Sequence, residues 1–231
     1  MGHHRLLSTL NSNNFPNIIL NDAIIEYSTT VNNFWIFMNN ILKWNTQVIQ
    51  TSKKVFSLLH SLKRPEKFSP IHFAKNLIHT FLILHLDYCD SLLTNLSSNL
   101  AKRLQRVHNV YVRFICNTRK FDHVTLFLRF LSWVRLKERR MTHSLSFLFK
   151  ILHASSPNYL TSHFQFLITT RNQQQALLSI PLHRTSSYLD SFTVALHRFW
   201  HSLPSYVRDC RTLSHFKIEL EKYMLLHEIR Y

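Results

Sequence analysis

The chain has 231 residues, 45% of them apolar, and carries 28 Lys and Arg against 12 Asp and Glu, a formal net charge of +16. That length and apolar content supply a real core for one large domain or two small ones and exclude a chain disordered by composition. The excess of cations favours a polyanionic partner over an acidic small molecule, with nucleic acid first and an anionic membrane surface as the rival.

In chain order, residues 17 to 38 are β-branched and alternate in "IILNDAIIEYSTTV". With "LND" as the turn, this predicts a short hairpin followed by a strand at "VNNFWIFM". From "KWNTQVIQ" the period becomes helical: Val48, Val55, Leu58, Leu59 and Leu62 recur at helical spacing until the two prolines of "KRPEKFSP" end the helix. A central apolar helix is expected from about Ile71 to Leu93, then a turn at "TNLSSN" whose Ser or Asn caps the next helix.

That next helix, Leu100 to Asn117, places Leu100, Leu104, Val107, Tyr111, Phe114 and Ile115 on one face, with Lys102, Arg103, Arg106 and Arg113 on an adjoining arc. A further helix in "WVRLKERRMTHSLSFLFKILH" turns Leu145, Leu148, Phe149 and Leu152 inward and stops at "ASSPNYL". Residues 169 to 190 are polar and fit an extended hairpin or a connection. Helical pattern returns in "SFTVALHRFWHSL", breaks at Pro204 and resumes from "LSHFKIELEKYML". The fold class expected is mainly α, a helical bundle and a second helical module with a small N-terminal β region. The divisions fall at residues 1–45, 46–120 and 121–231.

Cys89, Cys116 and Cys210 are far apart and form neither a CxxC pair nor a disulfide framework, which fits a reducing, intracellular compartment, cytoplasmic or nuclear. "MGHHRLLSTL" has no long apolar core and no cleavage site, and Leu6 stands where a myristoylation signal has Ser or Thr, so secretion is not expected. The run Phe73 to Leu86 is interrupted by Lys75, Asn76, His79 and His85 and is shorter than the ~20 residues of a spanning helix. It reads as a buried helix, and no membrane partner is expected.

"LHLDYCDSLL", residues 84 to 93, sets Asp87 and Asp90 in an apolar run and raises the question of an acidic catalytic centre. The longer run "HLDYCDSLLTNLSSNLAKRLQRVHNVYVRFICNTRKFDHVT" resembles the segment after the polymerase core in LINE-type, non-LTR retrotransposon reverse transcriptases, jockey-like and related elements. "LSWVRLKERR", "KILHASSPNYL", "PLHRTSSYLDSF" and "RFWHSLPSYVRDCRTLSHFKIEL" are similar to the family's C-terminal blocks, in the same order and with similar spacing. "VNNFWIFMNNILKW" sits where the family has a Leu-Gly-Val-containing strand near the primer grip, with Leu42 and Trp44 matching its Leu-x-Trp pair. The resemblance covers about residues 17 to 223.

The resemblance implies that Asp87 and Asp90 belong to a structural block of the thumb, one helical turn apart, and not to the metal site. The family's polymerase carboxylates lie upstream as two adjacent aspartates, and this chain has no Asp-Asp pair. No catalytic residues are therefore assigned. The sequence also departs from the family: Trp35 replaces the glycine of the primer-grip strand, Asn39 its acidic residue, Arg135 the proline of a Trp-x-Pro, and Ala154 and Leu189 loop glycines. Only Gly2 remains in the whole chain. Turns requiring positive φ are then expected at Asn, Ser or Asp, at about 1 kcal/mol each.

The binding candidates are Lys53, Lys54, Lys63, Arg64, Lys102, Arg103, Arg106 and Arg113, in the region where the family tracks the template and primer backbone. The plainer reading of each is a solvated surface cation. Phe occurs 18 times, often beside cations, a mixture suited to stacking on bases, although the ordinary expectation puts most of these rings in the core. His197 and His201 lie four apart but lack an HExxH glutamate and a third ligand, so no metal and no cofactor are expected. Two functions stand: a non-catalytic C-terminal portion of an RNA-directed DNA polymerase that binds RNA or an RNA/DNA duplex without sequence preference, or a structural or interaction module, including a decayed copy without biochemical activity. A small-molecule substrate is not expected, and self-association is left open.

Overall fold

The computed structural model describes residues 18–25, 27–41, 43–62, 76, 80, 83–154, 157–167, 177–182, 186–189 and 191–228. It is mainly helical, with two small antiparallel hairpins near the N-terminus. β1 (Ile18–Leu20) pairs with β2 (Ala23–Ile25), and the turn is made by Asn21 and Asp22 at φ 49 and 61. Two consecutive residues at positive φ match the right-handed twist of the strands, which is why Asn and Asp suit this position. Ile18, Ile19, Leu20, Ile24 and Ile25 of this hairpin are all exposed.

The strand predicted at "VNNFWIFM" is instead a second hairpin. β3 (Thr30–Asn33) pairs with β4 (Ile36–Asn39) across a turn at Phe34 and Trp35, φ 47 and 65. The expectation that positive φ falls on Asn, Ser or Asp holds at Asn21, Asp22, Asn117 and Ser132, but Phe34, Trp35 and Cys89 adopt it as well. The two aromatic residues bear that cost because the hairpin is held from outside. Tyr88 donates its hydroxyl to the Phe34 carbonyl (2.7 Å), and the Gln47 side-chain oxygen accepts from Phe37 N (2.9 Å).

α1 (Asn45–Leu62) buries Val48, Val55 and Leu59 as its spacing requires. Most of the segment between residues 63 and 82, including Lys63 and Arg64, lies outside the described residues. The predicted helix does not run on to Leu93: α2 (Leu84–Asp87) ends, Tyr88 is extended, Cys89 turns left-handed at φ 52, and a 3-10 turn follows at Asp90–Leu93. Asp87 and Asp90 are therefore not on one continuous helix.

α3 (Ser98–Ile115) follows its amphipathic pattern, burying Leu104, Val107, Tyr111 and Ile115, with His108 and Val112 buried beside them. Ser97 occupies the cap position without a side-chain bond. α3 and α4 (Val124–Phe130) both end in left-handed residues. Beyond α3, Asn117 N and Thr118 N donate to the carbonyls of Phe114 and Arg113; beyond α4, Ser132 N and Trp133 N donate to Arg129 and Leu128. This paired closure satisfies carbonyls that the helix leaves open and is the usual place for glycine. Ser132→Gly relieves the side-chain conflict at φ 56 and is expected to raise stability by about 1 kcal/mol, read as a higher urea midpoint with an unchanged slope.

α5 (Leu136–Ala154) is the longest helix, and α10 (Leu213–Glu228) packs along it. α6 (Asn158–Thr161), α7 (Ser186–Leu189), α8 (Phe192–Ser202) and α9 (Ser205–Arg208) lie between them among the described residues. Of the polar stretch read as an extended hairpin or a connection, residues 169–176 lie outside the described residues, and Leu178 forms an antiparallel bridge with Phe166. Two apolar clusters form. One joins α1 and α3 to Val124, Leu128, Leu131 and Leu136; the other joins Leu145, Leu148, Phe149 and Ile151 to Trp200, Phe216 and Leu220. α5 contributes to both.

Among the described residues phenylalanine is divided between core and surface, with Phe114, Phe127, Phe192 and Phe199 packed partly buried against the two clusters. Phe149, Phe164 and Phe216 are buried, whereas Phe34, Phe56, Phe121, Phe130, Phe147 and Phe166 are exposed. Among the described residues no helix is long and apolar enough to cross a membrane.

Candidate nucleic-acid interface

α1 and α3 pack against each other through their apolar faces, and neither contains an Asp or Glu. Lys53 and Lys54 on α1, and Lys102, Arg103 and Arg106 on α3, are exposed. Among the described residues none of the five forms an ion pair with a carboxylate. Lys54 places its ammonium 5.3 Å from the centre of the Trp35 ring, tying α1 to the tip of the β3–β4 hairpin. An exposed cation over an exposed aromatic ring offers both a charge for phosphate and a flat apolar face.

Arg113 is placed differently. It is half-buried, and its Nη2 donates to the Asp122 carbonyl at 3.2 Å, bracing the turn between α3 and α4. The stripe read from the sequence thus presents three free cations on α3 and one that holds the chain.

Asp87 and Asp90 meet α5. The Arg139 guanidinium donates to both oxygens of Asp87, Nε to Oδ1 at 2.7 Å and Nη2 to Oδ2 at 2.5 Å. His143, one helical turn further along α5, bonds Asp90 Oδ2 through Nδ1 at 2.6 Å. The break at Tyr88 and Cys89 sets the two carboxylates against Arg139 and His143, and it also turns Tyr88 toward the hairpin tip.

Burial lifts Asp90 above the usual carboxylate range against the pull of His143, and the bond to Asp90 raises His143. Arg139 loses hydration, but Asp87 more than offsets that loss and holds its pKa above the ordinary value. Arg140, buried beside them, gives Nε to the Leu136 carbonyl (3.1 Å) and lies 3.5 Å from the Leu93 carbonyl.

Ligand atoms of Asp87, Asp90 and His143 lie within 4.8 Å of one another, the spacing of a metal site. Both oxygens of Asp87 are already held by a guanidinium, and His143 bonds Asp90 through Nδ1. The arrangement is an ion pair and a hydrogen bond that join α2 and the 3-10 turn to α5. His197 Nδ1 bonds the Thr193 carbonyl (2.8 Å) and its ring stacks on Phe164, while His201 Nε2 bonds the Leu178 carbonyl (2.9 Å).

Sequence reasoning missed His108 and Gln105. Gln105 Oε1 accepts from Leu136 N (3.0 Å), capping α5, and its amide donates to Asn109 Oδ1 (2.9 Å) and lies 3.3 Å from His108 Nδ1. Burial, with Arg139 nearby, pushes His108 down to about 3. The three-to-four-residue spacing of Leu104, His108 and Tyr111 was the available signal for its inward position.

Comparison with protein-family models, with curated proteins and with solved structures finds no match to this chain.

Proposed function

We propose that this chain is a non-catalytic nucleic-acid-holding module, equivalent to the thumb and downstream region of LINE-type reverse transcriptases. Its ligand is the sugar-phosphate backbone of RNA or of an RNA/DNA duplex, taken without regard to sequence. The observation that carries this reading is the packed pair α1 and α3, free of carboxylates, from which Lys53, Lys54, Lys102, Arg103 and Arg106 reach solvent. Each such cation releases condensed counterions when it meets a phosphate, which drives binding without reading bases.

Two further features support the family assignment. Trp35, at the position where the family carries glycine, has φ 65, the region that favours glycine. The exposed apolar hairpin β1–β2 agrees with a sheet completed by other strands. Without two adjacent aspartates the chain has no acidic pair for the metals of nucleotide addition, and it does not polymerise.

The test is titration of a short RNA/DNA duplex at several salt concentrations. Lys102→Gln/Arg103→Gln/Arg106→Gln keeps helix propensity and leaves Arg113 in its bracing role. It is expected to lose most of the affinity and to flatten the log–log salt slope by about 3. Arg198→Gln/Arg211→Gln/Lys217→Gln removes the same charge from exposed positions elsewhere and is expected to lose much less. Equal losses would mean diffuse attraction to a +16 surface and would favour a structural or interaction module instead.

A further inference from the structure

We infer that the turn and helix from Arg119 to Phe130 form a stacking platform for the unpaired bases of a single-stranded nucleic acid. This rests on the nucleic-acid reading above and adds a second site to it, distinct in what it recognises. Phe121 is 90% exposed and Phe130 82% exposed, and Leu126, one helical turn before Phe130, is 64% exposed. Rings so open to water at two places on one short segment lose hydrophobic free energy that a ligand would recover.

Their surroundings identify the ligand. Arg119, Lys120 and Arg129 are exposed, and among the described residues none pairs with a carboxylate. Lys120 Nζ stands 5.9 Å from the centre of the Phe121 ring. The one acid of the segment, Asp122, is turned to the chain itself: its Oδ2 accepts from Arg119 N (2.8 Å) and its carbonyl from Arg113 (3.2 Å). Cations without counter-charges next to open rings match a ligand that alternates phosphates with flat apolar bases.

The segment is also anchored to the core. α4 buries Val124 and Leu128 in the core, Arg113 braces the turn before it, and the left-handed Ser132 closes it behind. An anchored backbone loses less freedom than a free loop when bases stack on it. A duplex would engage only the cations, because its base faces are covered by their neighbours, whereas splayed bases of a single strand engage the rings.

The experiment compares a mixed-sequence single-stranded RNA with an RNA duplex of equal phosphate number. Phe121→Ala/Phe130→Ala changes two open side chains, and its melting temperature is expected to match the wild type. It is expected to lose about 30-fold or more in single-strand affinity, with the salt slope and the duplex affinity unchanged. Phe121→Leu/Phe130→Leu should fail to restore binding and Phe121→Trp/Phe130→Trp should restore it, since a stacked ring and not mere apolar bulk is required.

Unchanged single-strand affinity in the alanine variant, or equal loss for strand and duplex, would overturn the platform and leave the proposed function standing. A wild-type chain that binds neither RNA would overturn the proposed function, and the platform with it. A self-associating wild type whose alanine variant sediments as monomer without RNA would show that a second copy covers these rings, and would overturn the platform alone.

Discussion

Asp87→Asn is expected to lower stability by about 3 kcal/mol, because it leaves the Arg139 guanidinium largely withdrawn from water without its carboxylate. Asp87 and Arg139 have side chains only 20% and 25% exposed, so solvent screens their pairing weakly. In a chain of this size the loss corresponds to a melting temperature lower by roughly 10 °C. Arg139→Met in the same background removes the stranded charge and fills the space with an apolar chain, and is expected to recover most of the loss. Thermal unfolding of the wild type, both single variants and the double variant gives the coupling directly. Additive losses would show that Asp87 and Arg139 act independently, and that the ion pair is not what joins α2 to α5.

His108→Phe is expected to remove an acid-sensitive part of the stability. His108 is buried beside Tyr111, with ring centres 4.7 Å apart, and its pKa falls from 6.5 to about 3, through burial first and Arg139 second. A depressed pKa means that the native state binds fewer protons than the unfolded chain. The stabilising contribution is whole above the unfolded value of 6.5 and is lost progressively as pH falls from there toward 3. At 1.36 kcal/mol per unit, the wild type should lose about 3 kcal/mol more than the variant between pH 6.5 and 4. Urea unfolding at a series of pH values measures this difference; parallel curves would mean that His108 takes its proton without opening the core.

The helices were legible because each buries one stripe, and a stripe at 3.6-residue spacing is written locally. α3 shows this best, its apolar face falling where the sequence put it, with Lys102, Arg103 and Arg106 exposed beside it. The Asn21–Asp22 turn was legible for a related reason, since those residues are suited to positive φ. Phe34 and Trp35 gave no such signal. Both are strand formers in a strand-like run, and the contacts that bend the chain there come from Tyr88 and Gln47, distant in sequence.

The break at Tyr88 and Cys89 was hidden in the same way, because no Pro or Gly marks it and its partners Arg139 and His143 lie some fifty residues on. Of the candidate cations within the described residues, the sequence showed which helix each occupies but not its direction: Arg113 shares the arc of Arg106, yet Asp122 draws it into a turn. The open rings of Phe121 and Phe130 ran against the average burial of phenylalanine, and averages carry no information about one surface.

α5 has a consequence for how the molecule comes apart. Leu136 closes the first apolar cluster, and Leu145, Leu148, Phe149 and Ile151 found the second on the same rod of hydrogen-bonded backbone. Arg139 and His143, between these two groups, clamp the rod to Asp87 and Asp90. Loss of either cluster frays this helix at its clamped middle, so the two halves are expected to melt together. The amides of α5 are then expected to be among the slowest to exchange with solvent.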